Sequence, residues 1–362
     1  MIIILVVTLI NLIFGPRLQH KPFDITNYPL VSILIPARNE EHNIARCITS
    51  MLNQDYPNFE IIVLNDNSTD RTGEIIESYS REDNKVKYIH GKKLPGGWTG
   101  KNWACHQLSQ NASGDILIFT DSDNTHEEFA ITNTISYFQK YNLGMFSAFP
   151  QQKTVSLGEK LIVPIIDLFV YSTLPLWATY FFNNPSLAAA NGQWITFTRD
   201  AYDLIGGHLA IKNILVEDTT LNRLAKTLKI KTLTAIGTNA VYCRMYANWN
   251  EVWGGFSRHY YGLAGNNDIA YFMITLVSLS IFVSPYITIF NEHLFIPSLI
   301  AISLNSLIRL IGAIRYKHSI LTSVIFHPLS ILITNIIGFN SFLKFKSGLI
   351  QWKDRLISIK KA

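Results

Sequence analysis

Asp121-Ser122-Asp123 places two carboxylates on either side of one residue, directly after the strand-like run "DILIFT". Carboxylate oxygens are the ligands that Mg²⁺ or Mn²⁺ prefers, and such a cation usually takes one or two of them and completes its shell with water and substrate phosphates. Asp66, in "NDNSTD", follows a second apolar run and stands where a carboxylate can accept hydrogen bonds from a base or ribose. A third stretch, "GKKLPGGWTGKNWA" at residues 91–104, has the glycines and lysine of a phosphate-cradling loop. The P-loop pattern G-x-x-x-x-G-K-[ST] nevertheless fails twice, because Pro95 stands at the first glycine and Asn102 at the hydroxyl position. No G-x-G-x-x-G follows the first apolar run, which argues against a dinucleotide cofactor.

These residues need a scaffold that brings them together. Residues 31–36 ("VSILIP"), 60–65 ("EIIVLN"), 85–90 ("KVKYIH") and 115–120 ("DILIFT") read as strands, alternating with helical periods at 40–52, after the Ser68-Thr69-Asp70 cap, and at 101–108. Such alternation is the signature of βαβ units and a mostly parallel α/β sheet. "PARNEE", "NDNSTD", the glycine-rich loop and "DSD" then all leave carboxyl ends of strands, the edge where open α/β sheets bind ligands.

The rest of the chain has another character. Of 362 residues 48% are hydrophobic and 16% charged, and the excess collects at the two ends. Residues 270–290, 294–314 and 320–339 are apolar blocks of the length that crosses a bilayer as a helix. Residues 1–16 read as an uncleaved anchor. Arg17 and Lys21 after that anchor, and Lys344, Lys346, Lys353, Arg355, Lys360 and Lys361 in a basic tail at 343–362, place both flanks in the cytoplasm by the positive-inside rule. Three full crossings cannot satisfy both ends, so one block is expected to be re-entrant or interfacial; Arg309 and His327-Pro328 mark the irregular segments. Residues 161–182, interrupted by Pro164, Asp167 and Pro175, read as an interfacial helix pair lying on the bilayer. Cys47, Cys105 and Cys243 form no C-x-x-C pair, against a zinc site or disulfide framework. The formal charge of +5 gathers in the tail, which suits a membrane surface and not nucleic acid.

The order "VSILIPARNEE", "IIVLNDNSTD", "GKNWA", "IFTDSD" resembles the family 2 glycosyltransferases, with their GT-A nucleotide-diphospho-sugar transferase fold. "GWTGKNWAC", "YCRMYANWNEVWGGFSRHYYGLAG" and "GLIQWKDRLISI" bring the likeness closer to a membrane-bound branch that includes diaponeurosporenoate and hopanoid-associated transferases. The resemblance implies a GT-A domain over residues 28–257, a membrane region at 258–342, and a cytoplasmic catalytic domain on a multi-pass membrane protein. It implies that Pro36, Arg38, Glu40 and Asp66 line the nucleotide pocket, that Lys101 lies near the diphosphate, that Asp121 meets the ribose side and that Asp123, with Asp121, holds the metal. It makes the carboxylate base part of an "ED" motif, here Glu217-Asp218, with Asp218 as base and Glu217 as support. A base is required because the acceptor oxygen loses a proton as it attacks the anomeric carbon.

One departure matters: the "QxxRW" element of processive members is reduced here to Arg258, with Gly255 and His259 at the Gln and Trp positions. Arg258 as a diphosphate contact is carried over from that element, and a processive product is disfavoured. His208 and His259 read as structural histidines. "NGQWITFTRDAYDLIGGH" (191–208) frames the acceptor side, with Trp194 free to stack on a sugar ring. The leading expectation is inverting transfer of a hexose from a UDP-sugar to a membrane lipid, a carotenoid acid first among the candidates. The rivals are transfer to polyprenyl phosphate or a polysaccharide, and a non-catalytic nucleotide-binding membrane scaffold.

Overall fold

The computed structural model of the chain describes residues 1–19, 23–348, 351–352 and 355–356. Lys21 and, in the tail, Lys353, Lys360 and Lys361 lie outside the described residues. The chain divides into two units: residues 15–151 with 176–244, and residues 1–14 with 152–175 and 245–362.

The first unit is built on an eight-stranded sheet. Its strands are β1 (Val31–Ala37), β2 (Phe59–Asn65), β3 (Val86–His90), β4 (Ile116–Phe119), β5 (Asn124–His126), β6 (Met145–Gln152), β7 (Ile195–Thr198) and β8 (Thr232–Cys243), ordered β3-β2-β1-β4-β7-β6-β8-β5. β1, β2, β3 and β4 are parallel, while β7 runs antiparallel to β4 and to β6. The four expected strands are thus present to within a residue or two. Side chains alternate across the sheet, and both faces are covered. Val31, Ile33, Ile35, Ile61, Val63 and Ile118 pack with Ile44, Ile48 and Met51 of helix Ile44–Leu52 on one side. Leu34, Ile62, Leu64, Leu117 and Phe119 pack with Ala104, Cys105 and Leu108 of helix Gly100–Asn111 on the other.

The order of strands across the sheet reverses at β1: β2 and β3 lie to one side of it and β4 to the other. That is a topological switch point, and the crevice opens at the carboxyl ends of β1 and β4. The antiparallel β7 then matters, because Ile195 pairs with Phe119. This register delivers residues 191–194 to the same edge that carries Asp121.

The second unit is helical. Two helices, Phe295–Tyr316 and His327–Ser347, are long and apolar enough to cross a membrane. The first apolar block does not yield a third: Pro285 splits it into Asp268–Phe282 and Ser284–Thr288, since proline ends one helix and opens the next. The irregular segment is therefore block 270–290, not the helix carrying Arg309, which is continuous. His327-Pro328 does open a new helix after the short Ile320–Ile325. The "YCRMYANWNEVWGGFSRHYYGLAG" segment forms helix Trp249–Leu263, whose Tyr260 ring passes so close to Gly338 that a Cβ there would lie 2.7 Å from it.

The interfacial helix pair expected at 161–182 is corrected. Pro164 is the first residue of helix Pro164–Thr173, and Asp167, 5% exposed, pairs with His318 at 2.7 Å inside the helical unit. A carboxylate with a buried partner has no need of the bilayer surface. Residues 176–182 instead belong to the sheet unit. The C-terminal part of the helical unit runs from residue 245, and the unit's first helix, Ile2–Phe14, is tied down by Asn11, whose Nδ2 donates to Tyr171 O and Leu174 O.

Candidate active site

Four loops meet at the carboxyl edge of the sheet. Two of them, after β1 and β2, are latched together. Asn39 and Asn67 adopt left-handed backbone conformations, with φ of 50° and 53°, that asparagine tolerates better than most residues. Arg38 Nη1 donates to Asp66 O at 2.7 Å and to Asn67 O at 3.0 Å. Thr69 N donates to Asn39 Oδ1, and Glu40 N donates to Thr72 Oγ1. Asp70 accepts from Thr72 at the start of helix Thr72–Glu82, so it serves as a helix-start acceptor. Pro36 sits in β1 opposite Leu64, and Asp66 is only 2% exposed just past β2.

The glycine-rich loop is fastened at both ends of its last turn. Gly97 has φ +81°, a conformation that disfavours any side chain. Thr99 caps helix Gly100–Asn111 by accepting from Asn102 N, and its own N–H donates to Lys212 O at 2.7 Å. Asn102 is buried and its Nδ2 donates to Ile211 O and Ile214 O. Asparagine is the residue that can do this, since one amide group serves two carbonyls. Residues 211–214 run into helix Glu217–Thr227, so these bonds set the spacing between Lys101 and the Glu217-Asp218 pair. Trp98, Trp103 and His106 pack face and edge on the loop, with Trp98 and Trp103 centroids 5.0 Å apart.

Lys101 lies at the centre of the arrangement. Its Nζ is 2.8 Å from Asp121 Oδ1 and 2.9 Å from Glu217 Oε1. Burial opposes the charge, yet the Asp121 and Glu217 carboxylates overcome it and hold the ammonium well above its ordinary value. Asp218 accepts from Thr219 N at 2.6 Å through Oδ1 and from Gly192 N at 2.9 Å through Oδ2. Burial, followed by the neighbouring Glu217 charge, pushes its carboxyl up to about 7, against the opposing pull of Thr219, Lys101 and Gly192. A carboxylate poised there accepts a proton at physiological pH and releases it again.

Gly192 is the residue that sequence reasoning missed. An added Cβ would stand 3.1 Å from both Glu217 Oε1 and Lys101 Nζ. Its signal was a glycine one residue before "QW", which points to close backbone approach but not to what approaches. Trp194 is a correction: it is fully buried, its Nε1 donates to Thr134 Oγ1 at 3.1 Å, and its ring lies 5.0 Å from His126 in the core. An indole gains most from enclosure, and no face of it is left for a sugar. Arg258 belongs to the helical unit.

Asp121 and Asp123 fit a hard divalent cation. Glu40, Asp121 and Asp123 all bear on Cys47, whose thiol burial and those charges push far up, and Asp123 Oδ2 lies 3.6 Å from Cys243 Sγ. Both sulfurs are therefore neutral thiols, poor ligands. Among the described residues no three His, Cys, Asp or Glu side chains form a metal-holding cluster. The donor set is thus two carboxylates, the number Mg²⁺ takes from protein when phosphates supply the rest. His208, expected to be structural, is buried against Tyr202, whose OH is 2.7 Å from its Nδ1, and burial pushes it down to about 3.

The chain is similar to known proteins. The family described as glycosyl transferase family 2 matches residues 32–167. The probable glycosyltransferase YdaM of Bacillus subtilis is 41% identical over 105 residues, 28% of this chain and a quarter of that relative's length. The 4,4'-diaponeurosporenoate glycosyltransferase of Staphylococcus aureus is 25% identical over 366 residues, 97% of this chain and 94% of the relative. Among solved structures, the mannosyltransferase PcManGT of Pyrobaculum calidifontis, bound to GDP-Man and Mn²⁺, superposes with a TM-score of 0.55 at 14% identity, covering 90% of each chain. The sheet is that of the GT-A enzymes, and residues 32–167 within it carry the match to glycosyl transferase family 2.

Proposed function

We propose that the chain is a membrane-bound, inverting hexosyltransferase that moves sugar from a UDP-sugar to an oxygen of a membrane lipid. The observation that carries this reading is the Lys101, Glu217, Asp218 and Gly192 constellation beside Asp121. The full-length similarity to an enzyme named for a carotenoid acid, and the two helices able to cross a bilayer, support the acceptor class.

The acceptor oxygen attacks the anomeric carbon from the face opposite the diphosphate. Its bond to that carbon forms as the carbon–oxygen bond to the diphosphate breaks, so configuration inverts. Asp218 takes the acceptor proton, whether from a hydroxyl or from a carboxylic acid kept protonated in apolar surroundings. Its two backbone hydrogen bonds hold the carboxylate in one orientation, which is how a base is kept in line. Lys101 offers its ammonium to the departing diphosphate, and Glu217 keeps that ammonium charged and placed. A divalent cation held by Asp121 and Asp123 would offset the charge that builds on the leaving group. Asp66, Arg38, Glu40 and Pro36 form the nucleotide side of the crevice.

The test is incubation of membranes containing the chain with labelled UDP-sugars and host lipid extract, followed by identification of the labelled lipid. One lipid carrying one hexose supports the reading. Ladders of increasing length support a polymerising enzyme, and UDP binding with no turnover supports a scaffold.

A further inference from the structure

Thr120 and Asn124 bracket the Asp121-Ser122-Asp123 turn, one residue on each side, and both are fully buried. Their side chains converge on a single atom, the carbonyl oxygen of Gln193. Thr120 Oγ1 donates to it at 2.9 Å and Asn124 Nδ2 at 2.6 Å, while Asn124 Nδ2 also donates to Thr120 Oγ1 at 3.1 Å. The preceding residue is Gly192, whose N–H donates to Asp218 Oδ2 at 2.9 Å. One dipeptide therefore meets the Asp218 carboxylate at one end and both flanks of the Asp121–Asp123 turn at the other. Its own turn is closed locally: Asn191 Oδ1 accepts from Gln193 N at 2.9 Å, and Asn191 O from Trp194 N at 3.2 Å.

A second path joins the same points. Gln193 Nε2 donates to Cys243 Sγ at 2.7 Å, and that thiol donates to Asp123 Oδ2 at 3.6 Å. The pairing of β5 with β8 sets Cys243 opposite Asn124, so the sheet itself delivers the thiol to the turn. Asn124 Oδ1, by contrast, is buried without a partner. An unpaired buried amide oxygen costs stability, so stability alone does not call for asparagine here. What asparagine supplies is two donors on one nitrogen, and both serve this junction.

In-line displacement requires the carboxylates that hold the cation and the base at a set separation, because the diphosphate leaves from one face of the anomeric carbon while the acceptor attacks the other. A misplacement of about 1 Å costs on the order of a hundredfold. We infer that Thr120, Asn124 and Gln193 are positioning residues that hold the metal-binding turn and the base in one register, so that a change at this junction alters cation affinity and turnover together. The inference rests on the roles proposed above for Asp121, Asp123 and Asp218.

The experiment uses the full chain in an uncharged detergent. Mn²⁺ binding in the presence of UDP is followed by electron paramagnetic resonance of the free ion, and kcat for transfer into host lipid extract is measured at saturating Mn²⁺ and donor. Thr120→Val removes the hydroxyl at nearly constant shape. It should weaken Mn²⁺ by about 10- to 100-fold and lower kcat by a similar factor, the range expected when groups that orient metal ligands are removed. Thr120→Ser, which keeps the hydroxyl, should restore most of both. Asn124→Ala tests the other flank and should move both quantities the same way; the two variants alter different side chains, so one that fails to fold leaves the other decisive. Variants that melt lower yet bind Mn²⁺ and turn over as the parent does would overturn the inference. Weakened Mn²⁺ binding with kcat at saturation unchanged would overturn it too, since turn and base would then be independent. Absence of Mn²⁺ binding by the parent itself would instead remove the proposed role of the two aspartates, and this inference with it.

Discussion

Asp218 sits between opposing influences. Burial and Glu217 raise it; Thr219 N–H, Lys101 and Gly192 N–H lower it, and the balance comes to about 7. Two outcomes follow. Transfer should fall as pH drops through about 7, because the protonated acid cannot take the acceptor's proton, and Glu217→Gln should move that acid limb to lower pH by removing the charge that raises Asp218; pH profiles of kcat check both. For stability the sign is opposite to that of a salt-bridged carboxylate. A folded-state value above the unfolded one favours the fold at low pH, and that contribution is lost as pH rises through about 7. Asp218→Asn should therefore melt no lower than the parent at pH 8, as thermal unfolding in detergent can show. Lys101→Ala removes the ammonium that Asp121 and Glu217 hold. KM for the donor should rise by about ten- to a hundredfold, the worth of one charge-assisted contact, with a smaller change in melting temperature.

At the scale of elements, the register of β7 on β4 and the loop fastened by Asn102 decide where Gly192, Lys101, Glu217 and Asp218 stand. Asn102→Ala leaves the buried Ile211 and Ile214 carbonyls without their donor and should cost about 2–3 kcal/mol, read from chemical unfolding. Gly192→Ala places a methyl against Glu217 and Lys101 and should depress kcat more than it lowers the melting temperature. Much of this was legible in advance. β1 to β4, their order in the chain and the polar turns beyond them follow from alternating apolar runs and turn residues, which are local signals. What escaped depends on contacts distant in sequence. Trp194 lies in a polar-looking segment and shows no local sign that Thr134 waits for its N–H. Pro164, Asp167 and Pro175 break an apolar run in the way a surface helix does, and only His318, 151 residues away, makes Asp167 a buried residue. Gly192 reads in sequence as a place of close backbone approach, but Lys101 and Glu217, which approach it, are distant along the chain.

At the scale of the whole molecule, the chain combines a sheet unit of GT-A fold with a helical unit that contains, among the described residues, two membrane-length helices. The exposed faces of those helices carry Ile296, Ile300, Ile336 and Phe339, which water would penalise and hydrocarbon would not. The protein should accordingly stay in the membrane pellet after an alkaline carbonate wash and leave it only with detergent. That result concerns attachment; the central claim concerns chemistry. The measurement that bears on it most directly is transfer of labelled hexose from a UDP-sugar to host lipid by Asp218→Asn beside the parent, with both shown to insert and fold equally. A positioned base contributes about a hundred- to ten-thousandfold, so the variant should lose transfer by that factor while donor binding persists. Full transfer by Asp218→Asn would contradict the account.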